Sequence, residues 1–318
     1  MASKARVVAA VLVGAVALTG IMATAAFVAF PSVGLNLARS YERGRAGLTQ
    51  NVVQLEGDEH RVVYLRGGQG PTVLLLHGFS ADKDNWTRLA PHLEGLDLVI
   101  PDLPGHGETT RSESASYDIR AQVAWVKTLH DQLGLGPVHL VGNSMGGHIS
   151  AAYAVAYPED VASLALVNPG GITSPVESEL TQALKKGWNP LLVEDVADYD
   201  RLIDFIFVTP PYIPGPVKAF FAEQAVMHRD FNNEIFVDLG RKPYPLEPVL
   251  ERIGAPTLIV WGDSDRVLHP SGAAVFDGGI PNSRVAMLED VGHAPMIEQP
   301  EETAAILLDF WGSAPVSR

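Results

Sequence analysis

The 318 residues are 47% hydrophobic and carry a formal net charge of −14, which suits one large domain with a substantial core and an insertion better than two independent units. A body that repels phosphate gains nothing from releasing the counterions of a nucleic acid, so nucleic-acid binding is excluded. There is no cysteine, which removes disulfide scaffolds, thiolate metal sites and cysteine nucleophiles together.

The N-terminus departs from this acidic balance: the first 50 residues hold Lys4, Arg6, Arg39, Arg43 and Arg45 against Glu42. Between Val7 and Phe30 no residue is charged, and a helix of about 24 residues spans about 36 Å against about 30 Å of hydrocarbon. Residues 1–30 are therefore expected to form a transmembrane anchor. The alternative is a signal peptide cleaved near Ala23-Thr24-Ala25, leaving a secreted or periplasmic product. The apolar run continues past that point to Phe30, which favours retention. Basic residues flank both sides, so the positive-inside rule leaves orientation open. Residues 31–50 read as a juxtamembrane linker able to form an amphipathic helix on the membrane surface.

Beyond residue 50, short β-branched runs alternate with helical stretches, the pattern of a mostly parallel sheet joined by crossover helices. Asn51 to Glu56 and His60 to Leu65, separated by Gly57-Asp58, predict an opening hairpin. Near-continuous apolar runs predict buried parallel strands at Thr72 to Leu76, Leu98 to Pro101, Val138 to Gly142, Val161 to Val167, Pro256 to Trp261 and Arg284 to Leu288. Three- and four-residue apolar spacing predicts helices over Ile119 to Leu133 and Ala304 to Trp311. The stretch 171–245 has helical patterns but no strong strand, and is rich in proline and aromatics. It is too long for a plain loop, so it is expected to be a helical cap between residues 51–170 and 246–318 of the core.

Gly142-Asn143-Ser144-Met145-Gly146 lies directly after an apolar strand and before a helix, Met145 to Tyr157. In that setting G-x-S-x-G forces a sharp turn that exposes the serine hydroxyl, while the helix N-terminus offers free N–H groups to developing negative charge. A serine hydroxyl is a weak nucleophile, so a base and an orienting acid must follow in the order Ser, acid, His. Asp265 and His293 each sit just past a predicted strand and fill these places, with Asp263 as the competing acid. Asn168 occupies the other position used for the acid and cannot serve. The expected oxyanion donors are the N–H groups of Met145 and Phe79. His77 is read as support for the Phe79 loop, His106 as a turn residue, and His148 as facing outward without a role. The other histidines are too scattered for a metal site, and no metal or cofactor is expected.

His77-Gly78-Phe79, Asp102 to Gly107, Gly142 to Gly147, Trp261-Gly262-Asp263 with Asp265, and Gly292-His293 together resemble the α/β-hydrolase superfamily over about residues 51–313. The N-terminal segment, Ser80-Ala81 with Lys83-Asp84 and Trp86, and Gly107 to Ser112 look most like membrane-anchored monoacylglycerol lipases and related bacterial esterases. The resemblance implies an α/β-hydrolase fold with an eight-stranded, mostly parallel sheet, and it favours Asp265 over Asp263. It further implies hydrolysis of monoacylglycerols or short- to medium-chain acyl esters through an acyl-enzyme, without cofactor. An acyl chain needs an apolar pocket, for which the cap offers Phe205, Tyr212, Phe220 and Phe221. Two other readings are a carbon–carbon bond hydrolase of ring-fission products and a non-catalytic binding protein. The first family bears an aromatic residue after the catalytic histidine, where this chain has Ala294.

Overall fold

In a computed structural model that describes residues 30–56 and 61–312, the apolar runs become one eight-stranded sheet: β1 (Thr49–Gln54), β2 (Arg61–Gly67), β3 (Thr72–Leu76), β4 (Asp97–Pro101), β5 (Val138–Asn143), β6 (Val161–Val167), β7 (Thr257–Gly262) and β8 (Ser283–Leu288). The strand order is β1-β2-β4-β3-β5-β6-β7-β8. β2 runs antiparallel to β1 and β4, and every other pairing is parallel. The turn that joins β1 to β2 lies outside the described residues, and β1 starts two residues earlier than the alternation suggests. Central strands are buried on both faces and so are apolar throughout, as in β7, whereas the edge strands β1 and β8 alternate or stay exposed.

Helices α2 (Ile119–Leu133) and α3 (Met145–Ala156) are built with side chains such as Val126, Leu129 and Ile149 into one core layer, which also takes α8 (Gly272–Gly279). The other face of the sheet packs against α10 (Pro300–Trp311), with Leu307, Ala304 and Trp86 in a second layer. Asp118 caps α2 by accepting from Ala121 N–H, and Gly134, at φ 60°, ends it. Proline at the first position starts α10 four residues ahead of its periodic apolar stretch.

Between β6 and β7 stand four α-helices and no strand, α4 (Glu179–Lys185), α5 (Asp198–Ile206), α6 (Gly215–Met227) and α7 (Arg229–Arg241), followed by a 3-10 helix (Glu247–Arg252). Ahead of the sheet, α1 (Pro31–Arg45) packs against α6. Arg39 reaches Asp82 (2.6 Å) and Asp84 (3.0 Å), and Arg43 grips both oxygens of Asp84 at 2.7 Å. The exposed residues of α1 are Val33, Asn36, Leu37, Ala38, Ser40, Tyr41, Gly44 and Arg45, of which only Arg45, at the C-terminal end, is charged. The anchor expected over residues 1–30 falls almost wholly outside the described residues; among those described, no helix is long and apolar enough to cross a membrane.

Because β3 lies between β4 and β5, the chain reverses its winding there, and ligands in open α/β sheets bind at such a switch point. The parallel registers Leu76↔Gly142, Asn143↔Val167, Val167↔Val260 and Trp261↔Met287 bring the carboxyl ends of β3, β5, β6, β7 and β8 into one row.

Candidate active site

At the centre of that row β5 hands directly to α3, so Ser144 alone makes the turn, at φ 55° and ψ −116°. A residue with a Cβ holds such a backbone only under constraint from its surroundings. Serine at a helix N-cap ordinarily turns its hydroxyl back onto the first turn, but Ser144 makes no such bond, and Oγ is left available. The turn is held by its backbone instead: Ser144 N–H donates to Val167 O (3.1 Å), and Ser144 O accepts from the N–H groups of His148 and Gly170 (3.0 Å each). Gly146 is required by close approach, since a Cβ there would stand 2.2 Å from Leu76 O.

The same approach sets the loop after β3 beside Ser144: a Cβ on Gly78 would lie 3.1 Å from Ser144 Cβ. Among the described residues no protein group accepts from the N–H of Phe79 or of Met145. His77 fixes this loop, donating from Nδ1 to Gly78 O (2.8 Å) and accepting Leu103 N–H at Nε2 (2.9 Å). Complete burial, reinforced by the Lys83 cation, pushes His77 down to about 4 and keeps it neutral for both bonds. Lys83 is itself buried, with Nζ on Asp102 (2.7 Å) and Glu108 (2.8 Å), and so ties the loop after β3 to the turn after β4. From the insertion, α7 lies over the loop: the Phe79 ring meets Phe236 edge-on at 5.6 Å, and Asn232 Nδ2 donates to Ser80 Oγ (2.9 Å).

Past β7, the Asp265 carboxylate is buried and accepts five hydrogen bonds. Oδ2 takes His293 Nδ1 (2.8 Å), Asn168 Nδ2 (2.7 Å) and Trp261 Nε1 (3.2 Å). Oδ1 takes the N–H groups of Val267 (2.8 Å) and Leu268 (3.0 Å). Donation from Nδ1 fixes the tautomer of His293 and leaves the lone pair on Nε2. Asp263 is exposed and bonded to Ser264 Oγ (2.9 Å), so geometry pairs His293 with Asp265. Asn143 Nδ2 donates to His293 O (3.2 Å), joining the residue before Ser144 to the backbone of the histidine. Ser144 Oγ and His293 Nε2 are not hydrogen-bonded to each other here; in a free enzyme such contacts are often long and tighten only around substrate.

Sequence reasoning missed the side chains that donate to Asp265. Asn168, set aside as unable to be the acid, has φ 44° and donates to Asp265 and to Gly292 O (3.2 Å). Nothing local in the sequence signals that contact, or that of Trp261. His148 does not face outward: its Nε2 donates to Tyr244 O (2.7 Å) under the insertion, and burial lowers it to about 4. His130 meets Asp131 and Asp160 elsewhere, but Lys127 Nζ already sits on both carboxylates (2.6 and 3.0 Å).

The four aromatic residues expected around an acyl chain differ in their surroundings. Phe205 is buried with Leu180 and Val267 beneath the Arg266 guanidinium. Phe220 and Phe221 are half-buried on α6, the latter stacked on Tyr199 at 6.4 Å. Tyr212 is 86% exposed and lines no enclosed pocket, because its link between α5 and α6, interrupted by Pro210, Pro211 and Pro214, runs over the surface.

The α/β-hydrolase-fold family matches residues 71–200. Lipase 1 of Psychrobacter immobilis is 38% identical over 268 residues, 83% of this chain and 84% of that protein. Monoacylglycerol lipase ABHD6 of Bos taurus is 33% identical over 315 residues, covering 94% and 93%. The crystal structure of a membrane phospholipase A, described as a bacterial virulence factor, superposes with a TM-score of 0.88 at 42% identity, covering 96% of this chain and 99% of that one. The chain thus belongs to the α/β-hydrolase family, among its lipases and monoacylglycerol lipases, and is a carboxylic ester hydrolase.

Proposed function

We propose that the protein cleaves acyl esters of the monoacylglycerol type by a serine acyl-enzyme route, with Ser144 as nucleophile, His293 as base and Asp265 as the acid that orients it. The observation that carries this reading is the buried Asp265–His293 bond at the carboxyl edge of the sheet, next to a serine whose hydroxyl is not spent on capping its helix. Ser144 Oγ attacks the ester carbon while His293 Nε2 takes its proton. The resulting oxyanion is held by the N–H groups of Phe79 and Met145 and by the positive end of α3. Collapse breaks the bond to the alcohol, which departs with the proton from His293, while the acyl group stays bonded to Ser144 Oγ. A water that gives its proton to His293 then attacks the acyl carbon, and the second collapse releases the carboxylic acid and returns the proton to Ser144. The four-helix insertion acts as the cap over the acyl chain.

Residues 1–30 act as a membrane anchor in this reading. Support comes from α1, which follows that uncharged run directly and turns Phe30, Val33, Leu37 and Tyr41 outward while its Arg39 and Arg43 bind the body. An apolar helix face next to an apolar segment suits a lipid surface.

An activated serine reacts with an organophosphonate, so the wild type labels and Ser144→Ala does not; persistent labelling of that variant refutes the nucleophile. A panel of monoacylglycerols of several chain lengths, soluble aryl esters and a ring-fission dienoate tests the substrate class. Turnover of the dienoate above that of the esters refutes the ester reading. Removing residues 1–30 is expected to lower activity on lipid emulsions far more than on soluble esters, and equal losses refute the anchor.

A further inference from the structure

The loop that carries His293 is fastened to the insertion as well as to the sheet. His293 N–H donates to Ile206 O, at the end of α5, over 2.8 Å. Glu298, closing the helical turn α9 (Pro295–Glu298), accepts Gly292 N–H at Oε1 (2.8 Å) and the N–H groups of Val208 and Thr209 at Oε2 (2.9 Å each). One carboxylate thus gathers three backbone donors, one from beside the histidine and two from the insertion. It does so in a place that disfavours its charge: burial, with Asp265 nearby, raises the Glu298 carboxyl above the usual range against the pull of those three donors. A carboxylate needed only for solubility would not sit there.

On the reading that His293 is the base, we propose that Glu298 is a positioning residue that locks the insertion segment 206–209 and the loop 292–293 into one body. Seating of the insertion over an acyl chain then also sets the imidazole. Without Glu298, the histidine backbone keeps the bonds to Ile206 and from Asn143, but the loop before it loses its link to residues 208 and 209.

Glu298→Gln keeps the shape but replaces one acceptor oxygen with an NH2 donor, so one side of the bridge meets a donor instead of an acceptor. The expected result is a fall in kcat of about tenfold, the scale of one lost charge-assisted hydrogen bond. It should be equal on 4-nitrophenyl butyrate and on a monoacylglycerol, with KM for the soluble ester unchanged and labelling of Ser144 slowed by the same factor. An unaltered kcat, or a rise in KM confined to the long acyl substrate, overturns the proposal. Amide hydrogen exchange on the wild type tests it without a variant: Val208, Thr209, Gly292 and His293 should open together, and independent exchange of the two segments overturns it. His293→Ala serves as the control: labelling that survives it removes the base assignment itself, whereas lost labelling beside an unaffected Glu298→Gln removes only the role of Glu298.

Discussion

Asp265 illustrates how much of a site is decided by groups that never touch substrate. Its two oxygens are filled by five donors, and the imidazole is only one of them. Asn168 supplies the shortest of the five from a backbone of φ 44°, a conformation that asparagine tolerates and alanine does not. Asn168→Ala is therefore expected to destabilise the protein by about 2 to 4 kcal/mol, from a hydrogen bond to a charged group plus left-handed strain, and to lower kcat about tenfold. Asn168→Gly should recover the strain and leave the hydrogen-bond loss. Denaturant unfolding and steady-state kinetics on the pair separate the two; equal stability of both variants would show that backbone strain contributes nothing.

Among the elements, α1 is held chiefly through side chains. Arg43 contributes a two-pronged bond to Asp84 and a third to Gln50 Oε1 (2.8 Å), and Asp84 neighbours Lys83, whose burial against Asp102 holds the loop of Phe79. Arg43→Ala should weaken the fold by about 1 to 2 kcal/mol and speed proteolytic cleavage between α1 and β1, with a thermal midpoint and a timed digestion as the checks. A digestion rate equal to wild type would mean that packing on α6 alone seats the helix. α3 depends in the same way on its neighbours: its first turn touches β3 so closely that glycine at 146 is a steric requirement.

Buried neutral histidines give the whole molecule a pH dependence. His77 is lowered to about 4 and His106 to about 3, in both cases chiefly by burial. Unfolded, both titrate near 6.5, so between about pH 6.5 and 4 the unfolded chain binds more protons and stability falls as pH falls. Each contributes at most about 1.4 kcal/mol per pH unit across that window. The raised Glu298 carboxyl works in the opposite direction, favouring the folded state at low pH. Thermal midpoints measured from pH 7 to 4 should decline, and His106→Phe, which cannot take up a proton, should flatten the decline; a slope unchanged by that substitution would exclude His106 as a source.

The sheet, the turn at Ser144 and the places of Asp265 and His293 past strand ends were legible in the chain because each rests on local chemistry: apolar runs that must be buried, glycines where backbones touch, and loops that end strands. Asp265 was separable from Asp263 only by resemblance; in the fold, two residues along a turn exchange a solvent-facing carboxylate for a buried one hydrogen-bonded to His293. Asn168 and Glu298 could not be read because their partners lie 97 and 90 residues away, and Trp261, only four residues before Asp265, because no periodicity reports on a side chain that meets the turn after its own strand. The aromatic residues of the insertion show the complementary limit. Composition announced an apolar helical segment, but which rings face inward depends on how four helices settle on the sheet, and that packing left Tyr212 in solvent and Phe205 beneath α4.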